Sequence, residues 1–121
     1  MRTALRPSPT IMSADKLDVP QGTLDLMILT ILSREPLHGY GISQRLAALS
    51  HDSFRVNPGS LFPSLYRLEQ DGKLKGEWRP TENNRTAKYY RLTAAGRKQL
   101  EAHRQRWKQI SFAIASVLEG A

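Results

Sequence analysis

Apolar residues recur at helical spacing near the start of the chain. One stripe of a predicted first helix is formed by Leu24, Met27, Ile28, Ile31 and Leu32. Leu26 and Leu29 make the other side apolar as well, and a helix that is apolar nearly all round is usually a buried one. Pro20 suits the first turn of this helix, and Pro36 ends it. The pattern therefore predicts a buried helix between these two prolines.

Two further helices are predicted downstream. The segment His38-Gly39-Tyr40-Gly41 is predicted to be a turn, and the second helix then carries its inward residues at Ile42, Leu46 and Leu49. The third helix starts with an Asn57 cap and a proline at its first position, and glycine after Asp71 ends it. Its inward residues are Leu61, Leu65 and Leu68. Pro63 would break a hydrogen bond deep in a helix, so either the helix starts after Asn57 or its first turn is irregular.

After the third helix, apolar and polar residues alternate with a period of two, which is typical of strands. Leu74, Gly76 and Trp78 alternate with Lys75, Glu77 and Arg79. A second strand is predicted from Lys88 to Leu92, with Tyr90 as the inward tyrosine because it shares a face with Leu92. A polar loop from Pro80 to Ala87 separates the strands, so the two form a hairpin with Asn83-Asn84-Arg85 at its tip.

A long last helix is predicted after Thr93, which is a good N-cap. Apolar residues and one histidine follow one another at alternating steps of three and four, as in a coiled coil. This seam consists of Leu100, His103, Trp107, Ile110, Ile114 and Val117. Either the seam pairs two copies of the chain, or it folds back on the first helix of its own chain.

Three helices, a hairpin and a last helix predict a mainly α fold with a small β-hairpin (α+β). The architecture is a winged helix-turn-helix plus a long C-terminal helix. We divide the chain into a disordered N-terminal extension (1–18), a winged helix-turn-helix DNA-binding domain (19–93) and a C-terminal dimerisation helix (94–121).

The net charge of the chain indicates a class of binding partner. Eighteen Lys and Arg against 11 Asp and Glu give a net charge of +7 over 121 residues. Between Lys73 and Lys98, eight residues are basic and two are acidic. Such clusters commonly bind phosphate backbones, because contact releases condensed counterions. Double-stranded DNA is therefore the expected partner.

Composition also excludes several classes of protein. The chain has no cysteine, so it has no disulfide and no thiolate metal site, and His38 and His51 lack a metal-ligand spacing. No apolar run is long enough for a membrane span, and we expect a cytoplasmic protein without cofactor or metal. Neither paired acids nor a nucleophile with a base is apparent, so we expect no enzyme activity. An RNA-binding or protein-docking winged helix is the alternative function.

The predicted DNA contacts come from the second helix, the third helix and the hairpin. They are Gln44, Gly59, Ser60, Pro63, Ser64, Arg67, Arg85, Lys88 and Tyr89. Arg67 either contacts a phosphate, reads a guanine edge or pairs with Glu69. Arg85 and Lys88 are either phosphate contacts or ordinary solvated charges.

Three stretches of the chain strongly resemble the PadR family of transcriptional regulators. They are LHGYGISQRL, NPGSLFPSLYRLEQDGKL and TAKYYRLTAAGR, and the resemblance runs from about Pro20 to the end of the chain. The family usually has threonine and tyrosine where Ser60 and Phe62 stand. Serine keeps a hydroxyl for a phosphate contact, whereas phenylalanine lacks the hydroxyl of tyrosine.

The resemblance implies repression, often of detoxification or efflux genes, relieved by a small molecule or another signal. The single last helix is similar to that of the family's short branch, whose members dimerise through it and some of which bind drugs between subunits. The resemblance therefore also implies a homodimer that binds a palindromic operator. Trp107 is then either an effector contact or a plain packing residue of the seam. His103 is either a register residue or a pH switch.

Overall fold

The computed structural model describes residues 17–18 and 22–120. Within this part of the chain the helices are α1 (Leu24–Leu32), α2 (Gly39–Leu49), α3 (Pro58–Gln70) and α4 (Ala94–Gly120). The strands are β1 (Leu17–Asp18), β2 (Leu37–His38), β3 (Phe54–Arg55), β4 (Leu74–Pro80) and β5 (Thr86–Leu92). The predicted class is confirmed: three helices precede a β-hairpin, and a long helix follows it.

Helix α1 lies in the centre of the fold. It contacts α2, α3, α4 and β5, and its Ile28 and Leu29 are almost completely buried. The remainder of the core comes from the inward residues of the other elements, namely Ile42, Leu46, Leu61, Leu65, Leu68, Leu74, Tyr90, Leu92 and Leu100. The prediction of a buried first helix is therefore confirmed. Pro20 and the extension 1–16 lie outside the described residues, whereas Leu17–Asp18 form β1, parallel to β3.

The second helix begins earlier than the sequence pattern predicts. The segment interpreted as a turn is the first turn of α2, which starts at Gly39. The imidazole Nδ1 of His38 accepts a hydrogen bond from the N–H of Gly41 at 2.9 Å, so that His38 acts as the N-cap. This local cap offsets the low helix propensity of the two glycines. At the other end of α2, Leu49 is exposed rather than inward.

Helix α3 begins as predicted and passes through its internal proline. The side-chain oxygen of Asn57 accepts from the N–H of Gly59 at 2.8 Å, and Pro58 occupies the first helical position. Pro63 is the sixth helical residue, so the missing N–H removes a single bond, the one to the carbonyl of Gly59. The later start that Pro63 suggested is therefore wrong: the helix starts at Pro58, directly after Asn57, and Pro63 lies inside it. Gly72, at φ +75°, takes the left-handed conformation that follows its end.

The hairpin belongs to a three-stranded antiparallel sheet in the order β2-β5-β4. The sequence pattern does not predict β2, which is two residues long and pairs Leu37 with Tyr90. Strand β5 starts at Thr86, two residues before the predicted position, so the connecting turn is shorter than expected. Tyr90 is the inward tyrosine, as predicted, and burial raises the pKa of its phenol above the ordinary value.

Thr93 links the end of α3 to the start of α4. Its hydroxyl donates to the carbonyl of Gly72 at 2.7 Å and accepts from the N–H of Gly96 at 3.0 Å, which confirms the predicted N-cap. Gly96 is required here, because a Cβ at this position would lie 2.1 Å from the carbonyl oxygen of Lys73. Helix α4 is therefore anchored firmly at its first turn, beside the base of the hairpin.

Candidate nucleic-acid interface

The first two turns of α3 are exposed on one side. Gly59, Ser60 and Pro63 are exposed and Ser64 is half-buried, while Leu61 and Leu65 on the opposite side are buried. A helix start with small, exposed residues brings backbone N–H groups close to any surface it meets, and the helix dipole favours an anion there. The arrangement is suited to a phosphate or to the edge of a base.

The start of α2 contacts the ring of Phe62 in α3. Gly39 permits this contact, because a Cβ at this position would lie 2.7 Å from the ring of Phe62. On the outer side of α2, the amide of Gln44 donates to the hydroxyl of Tyr40 at 3.0 Å, and both side chains are exposed. Gln44 therefore lies on the surface of the helix-turn-helix, as a DNA contact from α2 requires.

Arg67 makes an ion pair that the sequence pattern does not predict. Both its terminal nitrogens donate to the carboxylate of Asp25, each at 2.9 Å, and this bidentate contact ties α3 to α1. The hydrogen bond to Asp25 raises the pKa of Arg67 above its ordinary value. The pairing with Glu69 that was one alternative for Arg67 is wrong. About half of the Arg67 side chain stays exposed.

Lys88 is also engaged within the chain. Its ammonium lies 2.7 Å from one carboxylate oxygen of Glu69 in α3, and the other oxygen accepts from the N–H of Gly76 in β4 at 3.3 Å. The hydrogen bond to Glu69 raises the pKa of Lys88. The alternative that Lys88 is an ordinary solvated charge is therefore wrong. Glu69 instead ties both strands of the hairpin to α3.

The tip of the hairpin lies beyond that ion pair. Residues 81–85 form the turn, with Asn84 at φ +62° and its N–H donating to Thr81 at 3.1 Å. Arg85 is exposed in this turn, as predicted. Farther back, the guanidinium of Arg79 lies 4.5 Å from the ring centroid of Tyr89. Arg85 is thus available to an external anion.

Tyr89 lies on the hairpin face opposite Lys88, since neighbouring residues of a strand point to opposite sides. It is half-buried, and its ring packs edge-on against His38 at a centroid distance of 5.0 Å. Arg79 covers the same ring. Tyr89 therefore packs locally, apart from the α3 side of the hairpin.

The residues of the predicted seam divide into two groups. Leu100 is buried in the core of its own chain, so this part of the seam does fold back on the same subunit. His103 is half-buried and one of its ring nitrogens lies 2.9 Å from the side-chain nitrogen of Gln99. Farther along α4 the remaining seam residues are exposed: Trp107, Ile110, Ile114 and Val117.

An apolar groove lies at the transition between these two groups. Trp107 lines it together with Leu26, Met27 and Phe54, and its volume is about 340 Å³. The groove adjoins the exposed part of the seam. The structure therefore offers two separate surfaces, one with α3 and the hairpin, the other with the groove and the end of α4.

Residues that sequence reasoning missed are the acidic partners. The sequence pattern does not identify Asp25, and it offers Glu69 only as an alternative partner of Arg67. Within residues 17–18 and 22–120, no cluster of His, Asp and Glu is suited to a metal. In the same part of the chain, no helix is both long and apolar enough to cross a membrane.

Comparison with known proteins agrees with this architecture. Residues 28–102 match the transcriptional regulator PadR-like family. The transcriptional regulator Rv3488 of Mycobacterium tuberculosis is 37% identical over 86 residues, which cover 71% of this chain and 77% of the relative.

Solved structures are similar as well. A PadR-like transcriptional regulator from Bacillus cereus is 31% identical with a TM-score of 0.72, and the match covers 84% of this chain and 96% of that one. A PadR family regulator from Eggerthella lenta is 31% identical with a TM-score of 0.71, over 84% and 86% of the two chains. These proteins are transcriptional regulators and not enzymes. The chain belongs to the PadR-like family of transcriptional regulators.

Proposed function

We propose that this regulator is a sequence-specific repressor that binds a palindromic duplex as a homodimer and is released by a small molecule or another signal. The observation that carries the DNA-binding part is the exposed first turn of α3 beside a hairpin whose tip presents Arg85. In this arrangement the start of α3 enters the major groove, and Arg85 contacts a phosphate or the neighbouring minor groove.

The roles of the individual residues follow from their contacts. Gly59, Ser60, Pro63 and Ser64 lie at the start of α3 and would face the DNA most closely, with Gln44 beside them. Arg67 and Lys88 are held by Asp25 and Glu69. We therefore assign them to positioning α3 and the hairpin, and Arg85 to the phosphate contact. Tyr89 supports the hairpin from its other face.

The dimer part of the proposal rests on the end of α4. Trp107, Ile110, Ile114 and Val117 present a run of apolar side chains at coiled-coil spacing, and they are exposed in the single chain. A second copy would cover them. Because the groove lined by Trp107 adjoins this surface, a flat effector would stack there, between the subunits. A protein acting on the chromosome in this way works in the cytoplasm.

The DNA-binding part is tested by selecting a duplex from a random pool and measuring its affinity by fluorescence anisotropy. We expect affinity to fall by roughly two orders of magnitude or more between about 50 and 200 mM salt. Arg85→Ala should reduce the slope of log affinity against log salt by about one, while Lys108→Ala, on α4, should leave it unchanged. Salt-independent binding, or a structured RNA that outcompetes the selected duplex, would contradict the proposal and favour the RNA-binding alternative.

The regulatory part needs a different assay. Transcription from a promoter that carries the selected site should fall when the protein is added, and rise again when an effector that quenches the emission of Trp107 is present. Activation by the bound protein would contradict the repressor assignment and leave the DNA-binding assignment standing.

A further inference from the structure

Trp78 is a large apolar residue that the fold does not cover. It lies in β4 and its side chain is 68% exposed, whereas Leu74, Tyr90 and Leu92 of the same hairpin are buried and Tyr89 is half-buried. A single exposed tryptophan is not unusual by itself. The class of its binding partner follows from its position on the hairpin.

The side chain of Trp78 lies on the α3 side of the hairpin. Residues two apart on a strand share a face, so Trp78 shares the face of Gly76, where a Cβ would meet Lys88 and Glu69. Its partner across the hairpin is Lys88. Trp78 therefore lies one step beyond the Glu69–Lys88 ion pair, toward the tip, where the sheet extends past the core. Its face of the hairpin is the one that packs against the last turn of α3.

The charge of the hairpin as a whole indicates the class of partner. Between Leu74 and Leu92 the hairpin has five basic residues and two acidic ones. Lys75, Arg79 and Arg91 lie on the face opposite Trp78, and Lys88 is paired with Glu69, so the free positive charge that Trp78 adjoins is that of Arg85, exposed in the turn. An exposed aromatic ring within a cationic hairpin suits a partner that offers both apolar surface and negative charge. The backbone of a DNA duplex does so, because each apolar deoxyribose lies between two phosphates.

We propose that Trp78 is a DNA contact of the hairpin: its indole ring packs on a deoxyribose at the edge of the minor groove, and its Nε1–H donates to an adjacent phosphate oxygen. The contact rests on the DNA-binding function proposed above. It adds an uncharged contact to the charge of Arg85. Affinity would then depend on Trp78 in a way that salt does not screen.

The test uses the full chain labelled with 5-fluorotryptophan and the duplex that the protein selects. The two tryptophans, Trp78 and Trp107, give two fluorine resonances that Trp78→Phe assigns. We expect the Trp78 resonance to shift when duplex is added and the Trp107 resonance to stay in place. Trp78→Ala should weaken binding by about tenfold with an unchanged salt slope, the scale of one hydrogen bond to a charged group. Trp78→Phe should retain part of the affinity, since the ring remains.

The control is Phe112→Ala, which removes another exposed aromatic residue, on α4 and away from the hairpin. It should leave DNA affinity unchanged. If the selected duplex binds with a steep salt slope while the Trp78 resonance stays in place and Trp78→Ala binds as the parent does, the Trp78 contact is wrong and the DNA-binding function stands. If no duplex binds, both proposals fail together. Thermal unfolding of each variant, followed by circular dichroism, separates loss of contact from loss of fold.

Discussion

Helices α3 and α4 have similar apolar stripes but different surroundings. In α3, Leu61 is 2% exposed and Leu65 is fully buried, because α1 and the hairpin cover them. In α4, Leu100 is 5% exposed, but Ile114 is 54% and Val117 is 68% exposed. The spacing of apolar residues identifies the face of a helix that needs cover. It does not identify what covers that face.

The two helices also differ in their polar contacts. Helix α3 is tied to α1 by Arg67 with Asp25 and to the hairpin by Glu69 with Lys88. The end of α4 extends beyond the core, and the hydroxyl of Ser116 bonds within the helix itself, to the carbonyl of Phe112. Helix α3 is therefore held by its own chain, whereas a second copy is what we propose for the end of α4.

The largest expected effect is on the core. Leu65→Ala should lower the free energy of unfolding by about 2–5 kcal/mol, since it leaves a cavity in a well-packed interior. Leu118→Ala makes the same exchange at an exposed position of α4 and should change it by less than about 0.5 kcal/mol. Chemical denaturation of both variants, at concentrations where the chain is monomeric, checks this. Equal losses would mean that the end of α4 is packed within its own chain.

The next effect concerns assembly. Ile114→Asp places a charge in the proposed dimer surface, so sedimentation should find monomers and duplex affinity should fall by at least about tenfold. Phe112→Asp is the matched control, because at 3.6 residues per turn it lies on nearly the opposite side of α4. It should remain dimeric. A dimeric Ile114→Asp variant would show that another surface joins the subunits.

A smaller effect tests whether Glu69 anchors the hairpin to α3 or is an ordinary surface charge. Glu69→Gln removes the ion pair with Lys88 and weakens the acceptor for the N–H of Gly76, so local opening should become easier by about 1 kcal/mol. Amide exchange at Gly76 should then be about fivefold faster. Glu82→Gln, in the exposed turn, should leave this rate unchanged. An unchanged rate in both variants would remove Glu69 from its proposed role.

The sequence predicts much of the fold because its signals are local. Asn57 and Pro58 start α3, Gly72 follows its end, and Thr93 starts α4, each through contacts within a few residues. Tyr90 is identified as inward by the period of two alone. The sequence pattern does not predict the start of α2, because glycines at 39 and 41 favour a turn. In the structure the N-cap from His38 stabilises a helix there instead.

The candidate site is less predictable because its contacts join distant residues. Arg67 and Asp25 are 42 positions apart, and Lys88 and Glu69 are 19 apart. A basic residue in a sequence shows a charge but not its partner. For this reason the sequence alone predicts Arg67, Lys88 and Arg85 alike as DNA contacts, whereas in the structure Asp25 pairs with Arg67 and Glu69 with Lys88.

The central claim is that α3 and the hairpin meet DNA while the end of α4 joins two copies of the chain. The most direct measurement is the number of chains on one selected duplex, determined by native mass spectrometry. The account predicts two chains on one palindrome, with half-sites separated by about one helical turn, roughly 34–36 Å. A single chain bound with full affinity to a site without internal symmetry would contradict it.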